Sequence, residues 1–224
     1  MKVSETPTKN SKLSTQNYFP TFNGKPPAMK RDIIREKILS AAEAVFERHG
    51  FDKTILEDLG REAGMNKTSL YYYFRNKDEI FAAVIHRQSE AFLAALEGKI
   101  GKKKTGKGNL KIYLEQRGPL LKKLPLLHKA KSHPFFAAAI IVDALTDAEE
   151  NEITFLRQLM AKSIKNGELK KGTDKGAKVI LTALNALNHK GKSAEKDVEL
   201  FIEFLLEGIG KKAKEKAEEV VPTP

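Results

Sequence analysis

The 224-residue chain contains no cysteine. Without thiols it has no disulfide framework, no thiolate metal site and no cysteine nucleophile, and it is compatible with a reducing cytoplasm. It also has no run approaching the roughly 20 uninterrupted apolar residues that a membrane-spanning helix needs, and its N-terminus lacks the apolar core of a signal peptide. We therefore expect a soluble, cytoplasmic protein with no membrane partner.

Patterns that carry catalysis or hold metals are missing as well. The five histidines show no metal-ligand spacing on a shared helical face, and no nucleophile–base–acid set can be identified. Residues 101–108 nearly match a phosphate-binding P-loop, but Gly108 stands where a Ser or Thr would hold magnesium, and no strand precedes it. We expect neither an enzyme nor a protein that needs a metal or another cofactor.

Positive charge is unevenly distributed along the chain, whose formal net charge is +11. The segment from Lys99 to Lys131 holds eleven basic residues and one acid, whereas residues 30–78 hold ten basic and nine acidic residues. Basic segments often bind polyanions such as nucleic acids. Three interpretations of the Lys-rich segment stay open: a solvated loop, an extra attraction to a nucleic acid, or an attraction to an acidic effector.

Helical periodicity fills the chain between two polar tails, residues 1–29 and 215–224. Apolar residues recur every three or four positions, and the alternating pattern of strands is nearly absent. The pattern predicts an all-α protein. Helices are expected at about 34–49, 54–63, 66–74, 77–99, 110–130 with breaks at Pro119 and Pro125, 134–145, 147–166, 175–189 and 194–214.

Two short helices joined by a tight turn lie near the N-terminus. Thr54 and Glu57 fit a capping box that opens the second helix, and Gly64 suits the left-handed conformation of the turn that follows. Asn66 is expected to cap the third helix. Gly60, inside the second helix, is expected to cost roughly 0.5–1 kcal/mol relative to alanine. This arrangement is a helix-turn-helix.

The third helix has one apolar face and one polar face. At about 100° per residue, Leu70 and Phe74 lie close together and define an inward face. Thr68 and Tyr72 fall on the opposite side, and the other two tyrosines of the run 71–73 fall on the flanks. The three tyrosines cannot all be core, so at least one faces outward, where hydroxyl and amino groups suit phosphates and base edges.

The order of residues along this region resembles the signature of the TetR repressor family. The matching segments are FERHGF at 46–51, TILEDLGREAGMNKTSLYYYF at 54–74 and KDEI at 77–80. The resemblance implies a DNA-binding domain over residues 30–77. The residues that it implies in DNA binding are Thr54, Asn66, Lys67, Thr68, Ser69, Tyr71, Tyr72, Tyr73 and Lys77. It implies that Thr54 caps helix 2 beside a phosphate and that Lys67, Thr68, Ser69 and Tyr71 face the bases. It also implies that Tyr72, Tyr73 and Lys77 hold the DNA backbone.

The same resemblance implies that residues 78–214 form a helical domain that dimerises and binds a small effector. The helices at 175–189 and 194–214 carry broad apolar surfaces, which are expected to form a two-fold interface in a homodimer or to cover the domain's own core. An apolar pocket is predicted from Phe92, Leu96, Phe135, Phe136, Ile140, Phe155, Leu159 and Met160. Polar groups for it are expected from Tyr113, His128, Asp143 and Asn185.

These expectations combine into a sequence-specific transcriptional regulator that binds a palindromic operator in double-stranded DNA as a homodimer. We expect a repressor that a small-molecule effector releases by changing the tilt of the helix that begins at Lys77. The alternative is a DNA-anchored adaptor whose C-terminal domain binds a protein partner. A closed core without a pocket, together with an exposed apolar patch, would favour this alternative. The sequence does not separate a repressor from an activator.

Overall fold

The computed structural model describes residues 28–101, 105–132, 136–188 and 194–210, and helices form most of these ranges. The elements are α1 (Ala28–His49), α2 (Leu56–Glu62), α3 (Lys67–Tyr71), α4 (Lys77–Lys99), α5 (Gly106–Leu121), α6 (Pro125–Ser132), α7 (Ala139–Lys165), a 3₁₀ turn (Thr173–Gly176), α8 (Ala177–Asn188) and α9 (Ala194–Ile209). Within these ranges no strand occurs, and one isolated β-bridge joins Leu169 to Gly210. The all-α prediction is confirmed. The predicted tails lie outside the described residues, apart from the first two residues of α1.

Asparagine caps begin α3 and α4. The Asn66 side chain accepts a hydrogen bond from the Ser69 backbone N–H at 2.7 Å, and the Asn76 side chain accepts one from the Glu79 N–H at 2.8 Å. Each bond satisfies an amide that the start of a helix leaves without an intrahelical partner. The predicted cap at Asn66 is therefore confirmed.

The predicted helix break at Pro119 is wrong, because α5 continues through this residue to Leu121. A proline inside a helix removes one hydrogen bond to the carbonyl four residues earlier. Here that carbonyl belongs to Glu115, and both residues are exposed near the end of the helix. Water can replace the lost donor at such a position. Pro125, by contrast, opens α6 at its first position, where its missing N–H costs nothing.

The predicted boundary between helices at 134–145 and 147–166 is also wrong. A single helix, α7, runs from Ala139 to Lys165. Thr146 lies at the predicted boundary, and its hydroxyl donates a hydrogen bond to the Val142 carbonyl at 2.9 Å. This bond satisfies the polar side chain within the helix, so the helix does not have to end there.

The centre of the fold is α7, which packs along α4 and α5. Fully buried apolar residues fill the space between these helices, among them Phe92, Leu96, Leu110, Leu156 and Met160. The helices α1, α2 and α3 pack together and reach the core through contacts of α1 with α4, while α8 and α9 cover α7 and α5. The long α4 therefore connects the N-terminal helices to the C-terminal core.

Within the described ranges, no helix combines the length and the apolar character that crossing a bilayer requires. In the same part of the chain, His, Asp and Glu side chains form no group of three or more that would hold a metal ion.

The end of the P-loop-like segment is the start of α5. The Thr105 hydroxyl accepts a hydrogen bond from the Gly108 N–H at 3.0 Å and caps the helix. Gly106 packs closely against the buried Ser163 of α7. A Cβ added at Gly106 would lie 2.7 Å from the Cα of Ser163. Gly106 therefore serves the packing of α5 on α7. Residues 102–104 lie outside the described residues.

We expect Gly106→Ala to destabilise the protein by about 1–3 kcal/mol, because the methyl group overpacks a tight contact between two helices. The measurement is the free energy of unfolding in urea. The control is Gly98→Ala in α4, where a Cβ meets nothing within 4 Å. Alanine there should be neutral or stabilising by up to about 1 kcal/mol. Equal stability of the two variants would contradict the close α5–α7 contact.

Candidate nucleic-acid interface

The turn between α2 and α3 depends on two glycines. Gly64 has a φ of +64°, as predicted for the turn. Gly60 accepts a hydrogen bond from the Met65 N–H at 2.8 Å, and a Cβ at Gly60 would lie 2.8 Å from the Met65 carbonyl oxygen. The predicted cost of Gly60 relative to alanine therefore does not apply, because alanine would push the turn away from α2.

The predicted capping box at Thr54 is wrong. The helix starts one residue later than expected: Ile55 is the N-cap, and the Asp58 carboxylate accepts a hydrogen bond from its N–H at 3.3 Å. Thr54 is 1% exposed, and its hydroxyl donates to the Gly50 carbonyl at 2.7 Å. Thr54 therefore closes the α1–α2 turn from inside, and its side chain is not available to a phosphate.

The inward face of α3 is as predicted. Leu70 and Phe74 are 1% and 2% exposed, and the Arg35 guanidinium of α1 lies 4.9 Å from the centre of the Phe74 ring. A five-residue helix has too few hydrogen bonds to be stable in isolation. These two apolar side chains therefore hold α3 in place against its neighbours.

The outward face carries polar and aromatic side chains. Tyr71 and Tyr72 are 49% and 37% exposed, and Lys67 and Thr68 are exposed as well. Ser69 is half-buried. The third tyrosine, Tyr73, is half-buried and packs against the core. The prediction that the three tyrosines cannot all be core is confirmed, because two of them lie at the surface.

An ion pair ties the start of α3 to α2. The Lys67 ammonium donates a hydrogen bond to the Glu57 carboxylate at 2.7 Å, and both side chains are about half exposed. This hydrogen bond lowers the pKa of Glu57 below its ordinary value. Sequence reasoning gave Glu57 a role in capping and missed this contact. Lys67 has to leave Glu57, or share its donors, before it can reach a base.

Lys77 supports the fold at the opposite end of this unit. Its ammonium donates to the Phe51 carbonyl at 2.8 Å and lies 4.3 Å from the centre of the Phe51 ring. It thus joins the first turn of α4 to the α1–α2 turn through a charged hydrogen bond and a cation–π contact. A phosphate contact of Lys77 stays a prediction, which the remaining donors of the ammonium allow.

An aromatic cluster connects the N-terminal helices to the C-terminal half. The Phe81 ring of α4 lies 5.1 Å from Phe46, 4.8 Å from Phe51 and 5.4 Å from Phe136, measured between ring centres. Phe136 precedes α7, so the cluster joins α1 and the α1–α2 turn to the C-terminal half. Phe136 therefore packs in this aromatic cluster, and its role in an effector pocket stays a prediction.

A hydrogen-bond bridge runs parallel to this cluster. The Leu127 N–H of α6 donates to the Gln88 side-chain carbonyl at 2.8 Å, and the Gln88 amide donates to the Glu43 carboxylate of α1. Arg87, next to Gln88 on α4, binds the same carboxylate and the Leu39 carbonyl. We call these contacts the Gln88 bridge. It links α6, α4 and α1, and sequence reasoning did not detect it.

The other predicted pocket residues do not converge on one cavity. Phe92, Leu96, Tyr113, Leu159 and Met160 are buried in the core, and Phe155 lies against Tyr113 with 6.1 Å between ring centres. Ile140 is 43% exposed and lines a surface groove beside α1 and α4. Phe135 lies outside the described residues. Among the polar candidates, Asp143 is exposed, whereas His128 lines a cavity of about 530 Å³ between α5 and α9.

The sequence model described as bacterial regulatory proteins of the tetR family matches residues 38–84, which comprise most of α1, all of α2 and α3, and the start of α4. Residues 38–84 therefore form an N-terminal region of the TetR type. The chain is 40% identical over 63 residues to the HTH-type transcriptional regulator RutR of Escherichia coli K12, covering 28% of this chain and 30% of RutR. It is 35% identical over 69 residues to an HTH-type transcriptional repressor of Mycobacterium tuberculosis, covering 30% of this chain and 37% of that protein.

The matched region therefore spans about a third of these curated relatives. The TetR-type fold extends further. FadR from Bacillus subtilis, solved in complex with stearoyl-CoA, superposes with a TM-score of 0.64 over 78% of this chain and 98% of FadR. The sequence identity is 18%, so this likeness concerns the fold. The relatives are named as transcriptional regulators, which agrees with the expectation of a non-enzymatic protein.

We expect Lys77→Met to destabilise the protein by about 1–3 kcal/mol, because the Phe51 carbonyl loses a charged donor and its ring loses a cation. Urea unfolding at neutral pH measures this change. Lys53→Met is the matched control, since Lys53 is exposed in the neighbouring turn. If both variants kept the stability of the natural protein, Lys77 would have no structural role and would be free to serve a ligand.

Proposed function

We propose that the protein is a sequence-specific DNA-binding transcriptional regulator whose α3 enters the major groove. The observation that carries the proposal is the division of α3 into two faces. Leu70 and Phe74 are buried on one side, and Lys67, Thr68 and Tyr71 face solvent on the other. The major groove of B-DNA is about 12 Å wide and accepts one helix. Amino and hydroxyl donors on that helix suit base edges and phosphates.

We assign the contacts by exposure. Lys67, Thr68, Ser69 and Tyr71 lie on or beside the outward face of α3 and are the proposed base readers. Tyr72, at the end of α3, is the proposed backbone contact. Asn66 caps the helix, so its side chain acts through the position of α3, and Tyr73 and Lys77 act first through packing.

A homodimer through α8 and α9 is part of the proposal. The regular apolar stripe of α9, which includes Ile202 and Leu206, packs against the chain's own core. The residues that remain outward are Val179 of α8 and Leu200 and Phe204 of α9, which are 71%, 52% and 65% exposed. Large apolar side chains on adjacent helices favour an interface with a second copy. A two-fold dimer would set two recognition helices about 34–36 Å apart.

We further propose that a small effector releases the protein from DNA, as in a repressor. A cavity of about 530 Å³ between α5 and α9 has the size of a small-ligand site, and it favours a small molecule over the alternative of a protein partner. The Gln88 bridge supports a route from this half to α1. A ligand that prefers one arrangement of α6 and α4 would shift the position of α1, and with it α3.

The experiment that tests the main proposal is selection of preferred duplexes from a random DNA pool by the full chain. We expect a palindromic consensus with half-site centres about one helical turn, roughly 10 base pairs, apart. The symmetry would follow from a dimer, and the consensus from base contacts by α3. Recovery of unrelated sequences bound with uniform affinity would contradict sequence-specific recognition.

We expect opposite effects on DNA affinity from the two partners of the α2–α3 ion pair. Lys67→Met should weaken binding to the selected duplex by roughly tenfold, because a donor to DNA is lost. Glu57→Gln should strengthen binding to both selected and scrambled duplexes, because it removes a negative charge near phosphates and releases Lys67. Fluorescence anisotropy at fixed salt measures both.

Glu97→Gln is the matched control for charge, since Glu97 is exposed at the far end of α4. It should leave both affinities unchanged. If Glu57→Gln weakened binding to the selected duplex as much as Lys67→Met, the ion pair would be part of the bound conformation, and the release of Lys67 would be excluded.

A further inference from the structure

Five polar side chains meet in the interior of the C-terminal half, around the carboxylate of Glu152 on α7. Arg117 donates to it through Nε at 2.5 Å and Nη2 at 3.1 Å, the Tyr113 hydroxyl at 3.0 Å, and the Lys131 ammonium at 3.0 Å. The Arg117 Nη2 also donates to the Asn185 side-chain oxygen at 2.7 Å. We call this group the Glu152 cluster. It joins α5, α6, α7 and α8.

The Glu152 cluster holds one more positive than negative charge. Burial by itself would raise the pKa of Glu152, but the charges of Arg117 and Lys131 outweigh this effect and lower it, so the carboxylate is ionised. Burial raises the pKa of Tyr113 well above its usual value, so its hydroxyl stays neutral. Arg117 and Glu152 are 1% exposed, and the Lys131 side chain is 10% exposed. An excess buried cation costs free energy unless an anion compensates it.

One donor of the cluster is left without a partner. Arg117 Nη1 is buried and makes no hydrogen bond within the described part of the chain. A guanidinium presents five N–H donors, and an unsatisfied donor on a buried charged group is expensive. Arg117 also lines the cavity between α5 and α9. An acceptor that enters from this cavity would therefore complete the hydrogen bonds of the guanidinium.

The lining of this cavity separates into a deep part and a rim. Leu114, Leu184 and Ile202 are buried beside Arg117 and form an apolar interior. The rim carries exposed charges, from the acids Glu115, Glu195 and Glu199 and from Lys122. A second cavity of about 190 Å³, on the side of α6 and α7, is lined by Lys131, Asn185 and the partly buried Glu149. The Glu152 cluster thus borders both spaces.

We propose that the Glu152 cluster is the head-group site of a small monocarboxylate, whose apolar body fills the cavity between α5 and α9. One uncompensated positive charge calls for one negative charge on the ligand. The ligand carboxylate accepts from Arg117 Nη1 in a charge-assisted hydrogen bond. The acidic rim disfavours a ligand with further negative charges at its outer end. The regulatory meaning of this site rests on the proposed function, but the binding itself does not.

The test uses the full chain and pairs of probes that differ only in charge. Hexanoate, octanoate and decanoate are titrated calorimetrically beside the neutral amides of the same chain length. We expect the best carboxylate to bind about tenfold more tightly than its amide, or better, because only the anion compensates Arg117. Equal affinities within each pair, or no binding by any carboxylate, would overturn the proposal.

Asn185→Asp tests the charge deficit by replacing the one amide of the cluster with a carboxylate. It supplies a carboxylate next to Arg117 Nη2 in nearly the same shape, so we expect the Tm to rise and the preference for carboxylate over amide to disappear. Asn151→Asp, on the exposed side of α7, is the matched control and should change neither. A lower Tm for Asn185→Asp would mean that the carboxylates of Glu149 and Glu152 already balance the cluster, and the proposal would fail.

DNA binding by the ligand-free protein is measured in parallel, so that two failures can be told apart. Loss of carboxylate binding with intact operator binding would reject the ligand class and leave the regulator in place. Carboxylate binding with an unchanged operator affinity would support the site and reject control of DNA binding through it.

Discussion

The burial of Leu70 and Phe74 beneath α3 is the constraint on which the interface depends. A helix of five residues cannot hold its own conformation, so its position comes from these two side chains and from the cap at Asn66. Once they are buried, the geometry of the helix turns the side chains at the opposite positions outward. The outward surface of α3 is therefore a consequence of packing. Tyr71 and Tyr72 are exposed because Leu70 and Phe74 occupy the buried positions beside them.

Local patterns predicted the N-terminal unit well because its contacts are short-range in sequence. The helix period identified the inward residues of α3, and Asn66 capped the helix as expected. Thr54 was assigned wrongly because a hydroxyl can bond either to a helix amide or to a nearby carbonyl. The α1–α2 turn brings the Gly50 carbonyl within 2.7 Å of the Thr54 hydroxyl, so the hydroxyl binds there. The predicted free-energy cost of Gly60 relative to alanine was wrong for a related reason. Helix propensity does not include the distance between a helix and the turn that follows it, and here that turn lies too close for a Cβ.

The C-terminal half was predicted less well because its decisive contacts join residues far apart in sequence. Arg117 and Glu152 are 35 positions apart, and Arg117 and Asn185 are 68 positions apart. Periodicity shows that α5 and α7 are amphipathic, but it does not show which polar residue on one helix faces which residue on another. The predicted pocket consisted of aromatic and aliphatic residues, and most of these pack in the core. Two of the predicted polar groups, His128 and Asn185, do line cavities, whereas Arg117 and Lys131 were noted only as part of the Lys-rich segment.

The eight-residue α6 connects the two polar networks of the protein. Its Leu127 N–H is bound by Gln88, which belongs to the bridge to α1, and its Lys131 ammonium is bound by Glu152. The two contacts are about one helical turn apart, so a rigid α6 cannot shift at one without moving at the other. A ligand that weakens the contact between Lys131 and Glu152, or that attracts the Lys131 ammonium, would change the position that α6 prefers. The bridge ends on Glu43 of α1, and the same helix packs against α2 and carries Arg35 over the Phe74 ring. We therefore propose that a change in charge balance at Glu152 reaches α3 through packed and hydrogen-bonded groups.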